Sequence, residues 1–182
     1  MKKLSNLAKS TVLFLSIMLS ANTAKAIDDG KIGDLAQLMS PAYAFGMSAM
    51  EEDHTGSIQL GALILSTQLA VEGIKALELE ERPNGNGWKS FPSGHAAGAF
   101  SGAMFVHKRY GWKPAVVPYA LSLVTSWSRV KVKAHYVHDT LAGAAIVALF
   151  TWGIVDKYLP DGTSVEANAS ADGVRIGFRT RF

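Results

Sequence analysis

The sequence predicts an all-α protein of about five to six helices, either very compact or membrane-embedded. Three observations carry this. The 182 residues are 48% hydrophobic and only 18% charged, an apolar balance for a single-domain length. Apolar segments of helical length alternate with short polar ones that hold Pro, Gly and Asn. The polar residues cluster where these segments end, which puts the candidate functional groups at helix ends.

Composition also excludes several functions. There is no cysteine, so neither a disulfide framework nor a thiol nucleophile is available. The net charge of +3 is misleading, because residues 1–26 carry Lys2, Lys3, Lys9 and Lys25 and no acid. The remainder has 14 of the 18 basic residues against all 15 acidic ones, a net of −1. No nucleic-acid surface is indicated.

Residues 1–26 have the parts of a secretory signal: the lysine-bearing start, the apolar run Val12–Leu19 and the small-x-small site Ala24-Lys25-Ala26. An uncleaved N-terminal anchor is the alternative, and both place the mature chain, expected to begin at residue 27, beyond a bacterial cytoplasmic membrane. Residues 27–34 are polar and read as a lead-in. An apolar stretch from Leu35 to Met50, interrupted by Pro41, ends in the charged break Glu51-Glu52-Asp53-His54. His54 reads there as a solvated histidine.

Ser57–Val71 is uncharged and apolar over most of a helix surface, and good helix formers extend it through Glu72–Glu81. Pro83 and the run Asn84-Gly85-Asn86-Gly87 stop it. Lys75 and Arg82, seven apart, share a face if that helix persists. Pro92-Ser93-Gly94-His95 then opens a helix over about Ala96–Val106. Serine is a strong N-cap, and the free N–H groups behind it suit a phosphate. His107–Lys113 reads as a basic turn, and Pro114–Trp127 as the next apolar segment, ended by Ser128-Arg129. His135 is expected to begin the last helix, which continues through the uncharged Thr140–Val155. His135 and Asp139 are four apart, so the carboxylate can orient the imidazole. The tail, 159–182, changes character, and Val174, Ile176 and Phe178 alternate at strand period.

Together the clusters fit phosphate-ester hydrolysis. That reaction needs positive charge around the phosphoryl oxygens, an in-line nucleophile and a proton for the leaving group. Lys75, Arg82 and Arg129 supply charge, and Ser93 with the Gly94 N–H adds donors. His135, oriented by Asp139, can attack phosphorus, and His95 can protonate the departing oxygen. No metal or other cofactor is required. The rival is a metal site from His135, His138 and Asp139 (H-x-x-H-D) with His95, but three flanking cations oppose a divalent ion.

The pattern K-x6-R-P, P-S-G-H and S-R-x5-H-x3-D resembles the signature of the type-2 phosphatidic acid phosphatase and vanadium haloperoxidase superfamily. It is met by Lys75, Arg82, Pro83, Pro92, Ser93, Gly94, His95, Ser128, Arg129, His135 and Asp139, over 65 residues. The resemblance implies an all-helical bundle over residues 27–158 and metal-free catalysis through a phosphohistidine. It also implies phosphate held by the Lys, Arg, Ser and Gly positions, with His135 as nucleophile and His95 as acid. Branches of the family include lipid phosphatases, soluble periplasmic acid phosphatases and vanadate-dependent peroxidases. The short, exported, apolar chain is similar to the bacterial lipid phosphatases. Its expected substrate is a phosphate monoester or diphosphate, either a phosphorylated lipid or a small phosphate ester, met in the periplasm or at the periplasmic face of the inner membrane. The uncharged 16 residues Thr140–Val155 would give only ~24 Å of helix against ~30 Å of hydrocarbon, so spanning requires partly polar flanks.

Overall fold

The computed structural model describes residues 28–159 and the backbone of 163–170 and 173–180. The signal segment expected at 1–26 lies outside the described residues. Five helices form the described body: α1 Asp29–Met50, α2 His54–Lys75, α3 Gly94–Tyr110, α4 Trp112–Lys131 and α5 Val137–Ile154. This is the all-α architecture that the apolar segments predict.

Three boundaries differ from expectation, each for a physical reason. The polar lead-in is the first turn of α1: the Asp28 carboxylate accepts from Gly30 N at 3.3 Å and caps the helix, which runs on through Pro41. α2 does not extend to Glu81. It ends at Lys75, and Glu78 has a φ of 48°, so the good helix formers beyond are overridden. Lys75 and Arg82 therefore do not share a helix face. A helix carried on to Arg82 would place it ~10 Å further along the axis, away from the site; the break lets the chain turn back. Finally, His135 lies just before α5 and not within it.

The basic segment 107–113 is not one solvated turn. α3 continues to Tyr110, and only Gly111, at φ 99°, separates it from α4. His107 is exposed, with Nδ1 3.0 Å from the Tyr119 hydroxyl, whereas Arg109 is buried. His54 is also exposed, as expected of a solvated histidine.

α3 is the axis of the bundle, with α1, α2, α4 and α5 all packed against it. Its buried positions are mostly Gly, Ala and Ser, which let neighbouring backbones approach. At Gly102 a Cβ would fall 2.4 Å from the Ser40 carbonyl carbon of α1. On α5, a Cβ at Gly143 would fall 2.6 Å from the Ser93 oxygen. Those two contacts bring α1 and α5 close against α3.

The bundle buries a set of small polar side chains beside its apolar core and leaves many large apolar ones outside. Ser40, Ser48, Thr67, Ser101, Ser122 and Thr125 are fully buried, and most of them donate to helix carbonyls, such as Ser40 Oγ to Ala99 O at 2.6 Å. Large apolar side chains instead face outward: Leu65, Leu69, Leu141, Leu149 and Trp152 are all more than half exposed. α2 and α5 are long and apolar enough to cross a membrane. At 22 and 18 residues they give ~33 and ~27 Å of helix, because both extend past their uncharged runs into flanking residues.

The strand-period tail has a partner. β1 Thr163–Ser170 pairs antiparallel with β2 Gly173–Thr180, with Val165 opposite Phe178 and Ala167 opposite Ile176. The expected strand is β2; the alternation in β1, Val165, Ala167 and Ala169 against polar residues, rests mostly on alanines and is weaker.

Candidate active site

The second and third motifs meet through backbone and side chain alike. Ser93 caps α3, its Oγ accepting from Ala96 N at 3.4 Å, while its own N–H donates to Asp139 O at 3.0 Å. Asp139, in the first turn of α5, is fully buried. Its Oδ2 accepts from Ser90 Oγ at 2.6 Å and from Tyr136 N at 2.9 Å. His135 Nδ1 stands 3.4 Å from the same oxygen. That is ion-pair distance without hydrogen-bond alignment, and Nδ1 has no aligned partner among the described residues. Asp139 is thus held in place by Ser90 and the backbone, and faces His135.

His135 itself is 3% exposed, fixed by its N–H on Arg129 O at 3.2 Å. Burial pushes its imidazole down to about 4; Asp139 opposes this, and the charges of Arg82 and Lys75 reinforce it. At neutral pH it carries a free lone pair, and with Nδ1 turned to Asp139 the free nitrogen is Nε2.

Lys75 brings the first motif to the second. Its ammonium lies 3.1 Å from the point where a Cβ on Gly94 would sit, so glycine there leaves room for it. Glu72 Oε1 also holds it, at 3.2 Å. Arg82 is half-buried in the loop between α2 and α3, and its charge acts on His135. Arg129 is 8% exposed, with Nη2 donating to Gly30 O and to Ser128 Oγ, and Nε buried without a hydrogen-bond partner among the described residues. Its Nη1 lies 3.1 Å from Asp34 Oδ1, and His95 Nε2 lies 3.1 Å from that same oxygen. All eight residues singled out in the sequence therefore stand at one end of the bundle. Asp34, Gly30 and Ser90 complete the site without any motif to announce them.

Of the H-x-x-H-D grouping, the fold sets His135 and His138 against different oxygens of Asp139, His138 Nε2 lying 3.2 Å from Oδ1. His138 points to Glu80, Nε2 to Oε2 at 2.8 Å, and stacks on Tyr136. Glu80, His138 and Asp139 offer ligand atoms within 4.8 Å of one another and are the described residues that could hold a metal ion. His95 is not among them. A cavity of about 310 Å³ opens at the opposite end of the bundle beside Asp53, Arg109 and Asp156, and none of the signature residues lines it.

A family model for the PAP2 superfamily matches residues 10–160. The chain belongs to the PAP2 superfamily. Two curated relatives give this PAP2 member a chemical context. It is 33% identical over 178 residues to a lipid A 4'-phosphatase of Helicobacter pylori, covering 88% of this chain and 89% of that protein. It is 38% identical over 68 residues to a lipid A 1-phosphatase of Porphyromonas gingivalis, covering 36% of this chain and only 15% of that one. No solved structure matches it significantly. Family and relatives make the PAP2 chain a phosphoric ester hydrolase, as the motif chemistry anticipates.

Proposed function

We propose that the protein removes a phosphate from lipid A or a closely similar phosphorylated glycolipid, without a metal, through a phosphohistidine at His135. The observation that carries this is a set of phosphate-binding and nucleophilic groups gathered at one end of a bundle whose outer faces are apolar. A substrate anchored in a bilayer presents its phosphate at the membrane surface, which is where such a helix end lies. The near-full-length likeness to a lipid A 4'-phosphatase supports the same substrate class.

In this reading Lys75, Arg82 and Arg129 neutralise the phosphoryl oxygens, with Ser93 and the Gly94 N–H as further donors. His135 Nε2 attacks phosphorus as the ester P–O bond breaks, and His95 gives its proton to the departing oxygen. Water, deprotonated by His95, then attacks the phosphohistidine and releases inorganic phosphate. The bundle lies in the inner membrane with this end facing the exported side. Residues 1–26 are the basis for that orientation. Loop charge gives it no support, because exposed Lys31, Lys89, Lys131 and Lys133 all lie at the site end.

The test is phosphate release by the purified full chain in detergent micelles, with chelator present. Lipid A should be dephosphorylated and vanadate should compete, since its trigonal-bipyramidal adduct mimics the transferring phosphoryl group. His95→Ala should slow the lipid ester by about 100-fold or more, yet p-nitrophenyl phosphate by much less, because an activated aryl leaving group needs little protonation. A strict requirement for added divalent metal contradicts the mechanism. Turnover of water-soluble esters with none of lipid A contradicts the substrate.

A further inference from the structure

The shared oxygen of Asp34 brings α1 into the chemistry. We infer that Asp34 is a positioning residue of this site, whose carboxylate anchors Arg129 and holds His95, favouring the proton-bearing form that can donate to the leaving oxygen. This rests on the reading of His95 as the general acid.

The geometry has two parts. Gly30 and Asp34, four apart on α1, together hold the guanidinium: the Gly30 carbonyl accepts from Nη2, and Asp34 Oδ1 lies 3.1 Å from Nη1. The same Oδ1 lies 3.1 Å from His95 Nε2. One carboxylate oxygen thus fixes the spacing between the arginine that binds the phosphoryl group and the histidine that protonates the leaving oxygen.

The electrostatics make the charge of Asp34 matter. The charged groups facing His95 are Arg129 from α4, Lys75 from α2 and Asp34 from α1. Burial lowers the His95 pKa most and the two cations lower it further, so all of these favour the neutral imidazole, which cannot serve as the acid. Asp34 is the anion that opposes them. Its side chain is 54% exposed, so solvent moderates the effect without removing it.

The experiment compares wild type, Asp34→Asn and Asp34→Glu as full-length proteins in detergent micelles. It measures kcat/KM against pH for lipid A and for p-nitrophenyl phosphate. A donor histidine loses activity as pH rises through its pKa, so removing the neighbouring anion moves that alkaline limb downward. Asp34→Asn keeps the shape and an oxygen for Arg129, and should shift the limb for lipid A by about one pH unit. Above the limb, lipid A turnover falls about tenfold while p-nitrophenyl phosphate stays within about threefold. Asp34→Glu restores most of the loss. An unmoved limb in Asp34→Asn, or equal losses on both substrates, overturns the assignment, since a purely structural role would slow both alike. If Asp34→Asn does not fold, Asp34→Ser, which also removes the anion, takes its place: a limb moved downward for lipid A supports the role of charge, and an unmoved limb overturns it. A wild type inactive on both substrates removes the phosphatase reading itself. A wild type that is active and sensitive to His95→Ala, beside an unshifted Asp34→Asn, removes only the role given to Asp34.

Discussion

His135→Ala should abolish turnover of every phosphate ester the wild type accepts, by ~10⁴-fold or more, because it removes the nucleophile itself. The bundle should survive the change. His135 is tied to its surroundings through its backbone N–H on Arg129, and its imidazole has no aligned hydrogen-bond partner at Nδ1 among the described residues. Equal thermal midpoints for variant and wild type, measured beside the lost activity, separate loss of chemistry from loss of fold. Substantial turnover by a folded His135→Ala protein would mean that phosphorus is attacked by something else, water first among the candidates.

The largest effect on stability should come from the opposite end of the molecule. Arg109, 6% exposed, binds both oxygens of Asp53, and its Nη1 reaches Gln59 Oε1 and Asp156 O, each at 3.0 Å. Tyr110 donates to Asp53 Oδ2 at 2.6 Å and Gly56 N to Oδ1 at 2.8 Å. Arg109→Ala leaves a buried carboxylate without its counter-charge. Such losses cost about 3–5 kcal/mol, or roughly 10 °C in thermal midpoint for a chain of this size. The residual folded enzyme should keep its KM, because this cluster lies far from the site.

The same pair sets a pH window. Burial alone would raise the Asp53 carboxyl, but hydrogen bonds from Arg109, Tyr110 and Gly56 hold it down to about 2. A depressed carboxylate contributes stability that is complete above its unfolded pKa and is lost as pH falls through the folded one. Wild type should therefore lose this contribution between about pH 4 and pH 2, and Asp53→Asn should show a flatter acid limb over that interval.

Asp53 and Arg109 also mark what local sequence conceals. Read alone, Glu51–His54 and His107–Lys113 look like solvated charge; the pairing that buries them joins residues 56 apart in sequence. Chemistry was more legible than architecture. Lys75, Arg82, Ser93, His95, Arg129, His135 and Asp139 were readable because phosphoryl transfer needs those residue types, and each stands where an apolar segment gives out. Asp34 and Ser90 were not, since one carboxylate in a polar run and one serine in a loop have nothing local to distinguish them. The end of α2 was hidden for another reason: Glu72–Glu81 has good helix propensity, and its last residues are drawn out of the helix by contacts further along the chain, Ser90 N on Glu80 O at 3.1 Å and Arg82 N on Gly87 O at 2.9 Å. The outward apolar faces of α2 and α5 could be counted in the sequence, but not aimed.

A covalent intermediate is the measurement that tests the central reading most directly. Lipid A radiolabelled at its phosphate is mixed with the full chain in detergent micelles and quenched in alkali within one turnover. Phosphohistidine survives base and is lost in acid, so protein-bound label should persist, vanish on acidification and map to the peptide holding His135; the His135→Ala protein should carry none. Phosphate released at the wild-type rate with no label on that peptide, or label on another residue, would contradict a histidine nucleophile at this site.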